Sequence, residues 1–408
     1  MTEVTDVVVV GGGIGGASLA AALAREGLGV TVLEATTEFP DRVRGEAMHV
    51  WGVQEARNLG VEATMLDAGA HIAALWKQYA EGIGEAGEFP TGMMLPGIPG
   101  TLNLRHPDAC QALIDAAAKD GVTVVRGTRD ITIAAGASPT VSYSTDGGSH
   151  ELRTSLVVGA DGRASTVRKQ AGITLERQEP ISYIAGLLIS GLDDVPDDHD
   201  VIAAERDLLF VLFHQGGGRG RAYLMPGLSG QHRFSGKRGT ETFLSACGGL
   251  SCYPWSEQVA AGTPAGPCAT YPGDDTWTDA PYVDGVVLIG DAAGHNDPII
   301  GQGLSIALRD ARIVRDLVLD GARTADAFAS YGDERSVRME RLRFIADAFA
   351  VTHAEDADNR TARRELVGRW MAEMDPQTFP VFASAFTGPE TLPAELVDPA
   401  LLERIRAA

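Results

Sequence analysis

The chain is short of cations. Lysine and arginine number 34 against 55 aspartates and glutamates, a formal charge of −21. A surface this acidic repels nucleic acid and anionic lipid, so neither is expected as a partner. It is short of cysteine as well. Cys110, Cys247, Cys252 and Cys268 form no C-x-x-C pair, and no histidine-rich stretch follows at zinc spacing. No metal is expected, and the thiols read as unpaired in a reducing compartment. The opening residues, MTEVTDVVVV, lack the basic region of a secretory signal, so a cytoplasmic location is expected. There is no internal repeat and no low-complexity tract. Residues 7–24 carry no charge and have the length of a membrane span. Yet Gly11, Gly12, Gly13, Gly15 and Gly16 sit in the middle of that run, and five glycines would weaken a helix badly. Strand, turn and helix is the better reading, with no membrane partner.

What is present is ordinary globular material in a large amount. Hydrophobic residues make up 44% and charged residues 22%, which excludes disorder as a default. At 408 residues the chain needs more than one packed unit. Residues 6–10 are a β-branched run fit for a strand buried on both faces. A helix over 14–26 and a strand over 29–34 complete a βαβ unit, which implies parallel pairing. Residues 50–70 and 107–119 read as helices. Short strands are expected near 122–126, 131–134, 140–144 and 155–159, with a hairpin turn at 147–149. Residues 180–275 change character, to β-rich runs separated by glycine- and aspartate-rich turns. A buried parallel strand returns at 284–290. From Leu304 onward the spacing is helical.

Gly11-x-Gly13-x-x-Gly16 follows the first strand and opens the first helix. The first glycine permits the tight turn, the second lets backbone approach a pyrophosphate, and the third lets helix and strand pack closely. Ile14 and Gly15 lie between them, where the helix presents free N–H groups to phosphate. Glu34 ends the second strand, 18 residues after Gly16. A carboxylate there accepts from both ribose hydroxyls and repels a 2′-phosphate. The bound nucleotide is therefore expected to be FAD or NAD rather than NADP.

Two later segments decide between these by resemblance. VVGADGRASTVR (157–168) and IGDAAGHNDPIIGQG (289–303), taken in order after the first fingerprint, resemble the signatures of class A, single-component FAD-dependent monooxygenases. These are the aromatic hydroxylases of the p-hydroxybenzoate hydroxylase type. The resemblance runs over roughly residues 4–340 and implies FAD as cofactor, with NAD(P)H as a transient co-substrate. It places Gly290 and Asp291 at the ribityl chain, and Gly301, Gln302 and Gly303 against the isoalloxazine. The helix beginning near Leu304 would point its positive end at the flavin's pyrimidine edge. Pro298 would wall the reactive face. Asp161 and Gly162 would lie near the pyrophosphate and the nicotinamide route. Arg44 would reach the pyrophosphate side, and Arg105 would face FAD. One departure stands out: the family commonly has GDAAH, and this chain has Gly294 there with His295 next.

The fold expected is α/β. A Rossmann-type FAD-binding domain (βαβ, parallel sheet) would comprise residues 1–70, 105–175 and 276–340. An inserted, mostly antiparallel β-sheet substrate domain would comprise 71–104 and 176–275. A C-terminal helical region would fill 341–408. The resemblance implies that NAD(P)H reduces FAD and that reduced flavin and O2 oxygenate a small aromatic or polyketide-like molecule through a C4a-hydroperoxyflavin. His71, His214, Tyr223 and His232 fall in the substrate segments, as candidate pocket groups or plain core and surface residues. Leu209, Phe210, Leu212 and Phe213 are pocket wall or core. The halogenase motif W-x-W-x-I-P is missing around Trp51, Trp76, Trp255, Trp277 and Trp370. An FAD-dependent reductase of the geranylgeranyl-reductase type stays open as the alternative enzyme. A non-catalytic flavin carrier is disfavoured by the intact Asp161-Gly162 segment. Larger relatives carry a thioredoxin-like C-terminal domain that this chain lacks, so a monomer is expected.

Overall fold

The structure is a computed structural model and describes residues 3–408. Val7–Val10 lies at the centre of a six-stranded sheet. Its neighbours are Val30–Glu34 and Leu156–Gly159, both parallel to it, with Thr123–Arg126 and Val286–Leu288 parallel outside them. Tyr282–Val283 closes one edge as an antiparallel hairpin. The valine run is continuous because both faces are covered. Val7, Val9 and Val32 turn to a helical layer formed by Ile14–Arg25, His106–Lys119 and Gly303–Leu319. Val8, Val10 and Leu33 turn the other way, onto Val141, Tyr143 and Leu152 of a four-stranded sheet. That sheet contains the hairpin expected around residues 147–149.

The larger sheet has eight strands. Its order is Thr263–Pro264, Glu176–Ser190, Arg219–Met225, Leu208–His214, His199–Glu205, Leu75–Ala80 and Gly84–Phe89, with Ala269–Trp277 also paired to Glu176–Ser190. Pairing is antiparallel except where His199–Glu205 runs parallel to Leu75–Ala80. Side chains alternate across this sheet. Tyr79, Phe210, Leu212 and Leu224 pack against Phe243, Cys247 and Val259 of two helices, Gly239–Gly248 and Ser256–Ala261. Trp76, Val211, Phe213, Tyr223 and Met225 face the C-terminal helices instead.

Several expectations are corrected. The stretch 180–275 is not strand and turn alone, since it contains those two helices. Residues 71–104 divide between two sheets, because His71–Ala73 joins Thr101–Asn103 and Ala47–Met48 in a separate three-stranded sheet. Residues 50–70 form two helices, Val50–Asn58 and Glu62–Asp67, parted at Gly60, which has φ +70°. The helix Ala329–His353 runs unbroken through the boundary drawn at 340. The four cysteines are free thiols. Among the described residues no helix is long and apolar enough to cross a membrane.

Candidate cofactor and substrate cavity

The first strand delivers the chain to Gly11, at φ +105°. A Cβ on Gly11 would overlap the Ala160 carbonyl, and one on Gly16 would overlap the carbonyl of Gly11. Helix and strand therefore touch through bare backbone. A Cβ on Gly13 would meet nothing within 4 Å. Gly13 faces a cavity, and it begins a helix whose first turn has no side-chain cap. Free N–H groups and the positive end of the helix dipole are thus presented to whatever fills the space. Glu34 sits on the same wall. Its carboxylate accepts from the Gly12 N–H at 2.7 Å and from the Thr36 N–H and hydroxyl at 2.8 Å each.

The second structured loop follows Val286–Leu288. Gly290 donates its N–H to Asp310 at 2.8 Å. Asp310 is paired with Arg335 at 3.1 Å and Arg338 at 2.7 Å, and both arginines are buried. Arg335 in turn donates to the carbonyls of Ala293 at 2.9 Å and Gly294 at 3.0 Å. The two arginines hold the Asp310 carboxyl below the usual aspartate range, against the effect of its burial. Gly294 has φ +112°; a Cβ there would overlap the Thr276 carbonyl oxygen and lie 2.7 Å from Trp277 Cα. Close approach of that strand, at positive φ, leaves room at this position for glycine alone. His295 lies on the cavity wall, with Nδ1 2.8 Å from the Thr276 hydroxyl and Nε2 3.2 Å from Asp274. Past Pro298 and Gly301, at φ +66°, the helix Gly303–Leu319 starts without a side-chain cap. Gly303 has open space where a Cβ would be.

One cavity of about 1250 Å3 takes in both helix starts and continues to the large sheet. Its far walls are Trp76, Phe213, Met225, Phe349, Phe382 and Phe386. Between the two ends stand Glu46, Tyr223 and Tyr271. The Tyr223 hydroxyl donates to Glu46. Burial pushes the Glu46 carboxyl up to about 7 despite the Arg221 charge beside it, and it pushes the Tyr223 phenol up as well.

Most of the residues expected at the site line this one cavity. They are Gly11, Gly13, Ile14, Gly15, Gly16, Glu34, Arg44, Asp161, Gly162, Gly290, Asp291, Pro298, Gly301, Gln302, Gly303, Leu304 and Tyr223. Two of them are turned to structural use. Asp161 accepts from the Ser165 hydroxyl and the N–H groups of Thr166 and Val167, so it caps a short helix. Gln302 binds the Trp51 indole and the carbonyls of Ile300 and Ala385. Arg105 is off the wall, paired with Asp108 at 3.1 Å, while its neighbour His106 is on it. His71 and His214 are also off the wall. His71 meets the Asp197 carbonyl, His214 is buried behind the sheet, and His232 is exposed. Phe213 lines the cavity; Phe210 and Leu212 are core on the opposite face.

Arg163, Glu46 and His49 are wall residues that sequence reasoning missed. Arg163 pairs with Asp291 at 3.2 Å, and its position beside Asp161-Gly162 was a usable signal. His49 donates from Nε2 to the Ile300 carbonyl at 2.9 Å, a partner 251 positions away that no local pattern reveals.

Residues 4–231 match the family model described as FAD binding domain. The chain belongs to this FAD-binding family. It is 28% identical over 327 residues to squalene epoxidase 4 of Arabidopsis thaliana, covering 77% of this chain and 62% of that one. It is 31% identical over 211 residues to 2-heptyl-3-hydroxy-4(1H)-quinolone synthase of Mycobacteroides abscessus, covering 50% and 54%. The aligned region thus spans less than two thirds of each relative. Among solved structures, p-nitrophenol 4-monooxygenase PnpA of Pseudomonas putida superposes with a TM-score of 0.76 at 19% identity, covering 98% of this chain and 99% of that one. At that identity the likeness is one of fold. The cavity of this FAD-binding chain fits its cofactor on its own geometry. Gly13 and Gly303 leave room where side chains would intrude, two uncapped helix starts face inward, and Glu34 and Asp291 offer acceptors.

Proposed function

We propose that this protein is an FAD-dependent monooxygenase that uses NAD(P)H and O2 to oxygenate a small aromatic or polyketide-like molecule. The observation that carries this reading is the single cavity joining the cofactor end to an aromatic-walled chamber. Bound FAD would supply the redox chemistry, accepting hydride and, once reduced, activating O2. The residues would do the rest. The Ile14–Arg25 helix start and Arg44 hold the pyrophosphate, Glu34 the adenosine ribose, and Asp291 the ribityl chain. Gly301 and Gly303 admit the ring, and the start of the helix Gly303–Leu319 favours negative charge on it. Trp76, Phe213 and Phe386 exclude water and orient an apolar substrate. The division into a discontinuous FAD-binding domain, an inserted substrate sheet and a C-terminal helical region belongs to the same reading, as do a cytoplasmic location and a monomeric state. The names of the relatives, an epoxidase, a quinolone synthase and a nitrophenol monooxygenase, favour oxygen insertion over reduction of the geranylgeranyl-reductase type.

The test is rapid mixing of the reduced, FAD-loaded protein with oxygenated buffer while the flavin spectrum is followed. A transient single band at shorter wavelength than oxidised flavin is expected. Direct reoxidation without it, with candidate phenols present, would move the assignment to the reductase.

A further inference from the structure

We propose that His353 selects the substrate of this cavity. Its ring binds a carbonyl or carboxylate oxygen at one end of an elongated molecule, whose other end, the ring to be oxygenated, lies near Gly301. The inference rests on the monooxygenase reading and names its substrate class. Four histidines line the cavity, and three of them are engaged. His49 holds the Ile300 carbonyl, His106 lies 3.3 Å from the Gly45 carbonyl, and His295 meets Thr276 and Asp274. His353 is only 7% exposed, and among the described residues neither of its ring nitrogens has a hydrogen-bond partner. Burial strips such a group of water and gives nothing back. A free N–H on the wall of a cavity points to a ligand.

The neighbour of His353 is a cation without an anion. Arg364, on the helix Arg360–Ala372, donates to the carbonyls of His353 at 2.7 Å and Arg206 at 3.0 Å. Among the described residues it forms no ion pair, and its Nε has no partner. Glu81 and Asp207 act on it from beyond pairing distance, and Arg360 opposes them. Its charge helps to keep the His353 ring neutral. A neutral ring beside a fixed positive charge offers its N–H to an acceptor, best to an oxygen with negative charge. The position sets the length. Trp76 marks the flavin end, because its ring lies 5.7 Å from that of His49, and a Cβ on Gly301 would come 3.3 Å from His49 Nε2. Trp76 pairs with Asp200 near the start of His199–Glu205. Arg206, which Arg364 holds, follows the other end of that strand, roughly 20 Å further on at about 3.3 Å per residue. Ile202 and Ala204 line the cavity in between. Gly368, one turn on from Arg364, is exposed on the wall, so the polar end lies beside the mouth. A single ring at the flavin end does not reach His353; a molecule of two or more linked rings does.

The test needs neither NAD(P)H nor O2. FAD-loaded protein is titrated with 4-hydroxystilbene, 4-acetyl-4′-hydroxystilbene and 4′-hydroxystilbene-4-carboxylate, and binding is read from the visible flavin spectrum. The ketone or the carboxylate should bind about tenfold tighter than the plain stilbene, the effect of one hydrogen bond. Whichever binds tighter identifies the oxygen. His353→Leu should bring all three probes within about twofold of one another, and His353→Gln, which keeps a donor, should retain part of the preference. Without ligand, His353→Leu should melt no lower than the unaltered protein, because it removes two buried nitrogens that have no partner. Arg364 is left in place, since it also ties the Arg206 turn to the helix end. If His353→Leu fails to retain FAD, His353→Gln decides alone, by a preference reduced but present. Equal affinity for the three probes, a preference that neither substitution changes, a lower melting temperature for His353→Leu, or no binding of any probe would overturn the proposal. Because no oxygen is present, these outcomes leave the monooxygenase assignment to its own test.

Discussion

At the cofactor end of the cavity the wall is backbone. Gly11, Gly13, Gly301 and Gly303 bring peptide groups to the surface, and Gly294 lets a strand cross where a single added carbon would collide. At the far end the wall is side chain. Trp76, Phe213 and Phe386 come from three separate stretches and meet ring to ring, with Phe386 5.2 Å from Trp76 and Trp76 5.6 Å from Phe213. A backbone wall specifies one ligand shape and tolerates no added atom. A side-chain wall specifies volume and polarity, and it changes with any substitution that keeps the chamber apolar. The chain therefore joins a rigid cofactor seat to a chamber open to retuning.

The largest effect is expected from breaking the cofactor end from behind. Arg335→Met leaves the buried Asp310 short of one partner and strips the Ala293 and Gly294 carbonyls of their donor. A loss of about 3–5 kcal/mol is expected, with FAD released on gel filtration. Thermal unfolding and flavin content measure it. Gly294→Ala adds one carbon against Thr276 and Trp277 at positive φ. It should cost about 1–3 kcal/mol and weaken FAD binding, read by flavin fluorescence titration.

Acid should loosen the chamber before the seat. His49 and His353 are buried on the cavity wall, and burial lowers their pKa from 6.5 to about 4 and about 3. The unfolded chain takes up a proton near 6.5, while the folded one resists until those lower values. Stability is thus fully present above 6.5 and is lost as pH falls towards 4 and then 3, by at most about 1.4 kcal/mol per pH unit for each histidine. Melting temperature against pH should show this slope, and His353→Gln should flatten it. The smallest effect on the cofactor is expected from Phe386→Ala. It enlarges the chamber and should shift preference towards bulkier aromatic ligands, while FAD affinity changes by less than about twofold. A large loss of FAD affinity would show that the two ends are not separate.

The same contrast governs what could be read before the structure. Gly11-x-Gly13-x-x-Gly16 and Gly290-Asp291 are legible because backbone contact needs glycine at fixed spacing after a strand. The parallel sheet is legible because burial on both faces leaves unbroken valine runs. Phe382 and Phe386 carry no such mark, since an aromatic on a C-terminal helix looks like core. His71 and His214 mislead for the converse reason: a polar residue in a β segment does not say which sheet, or which face, it joins. Arg105 shows the limit of motif transfer, because a neighbouring aspartate captures its guanidinium. The helices Gly239–Gly248 and Ser256–Ala261 are short and sit among glycines and prolines, where periodicity is weak.

The Arg335 clamp also orders events in time. During synthesis the first glycine fingerprint and Glu34 leave the ribosome early, ready to meet adenosine and phosphate. The loop Gly290–Gly294 emerges much later, and the carbonyls of Ala293 and Gly294 have no side-chain donor until Arg335 follows. The final shape of that loop is therefore tied to docking of the helix Ala329–His353, an element some forty residues further along the chain.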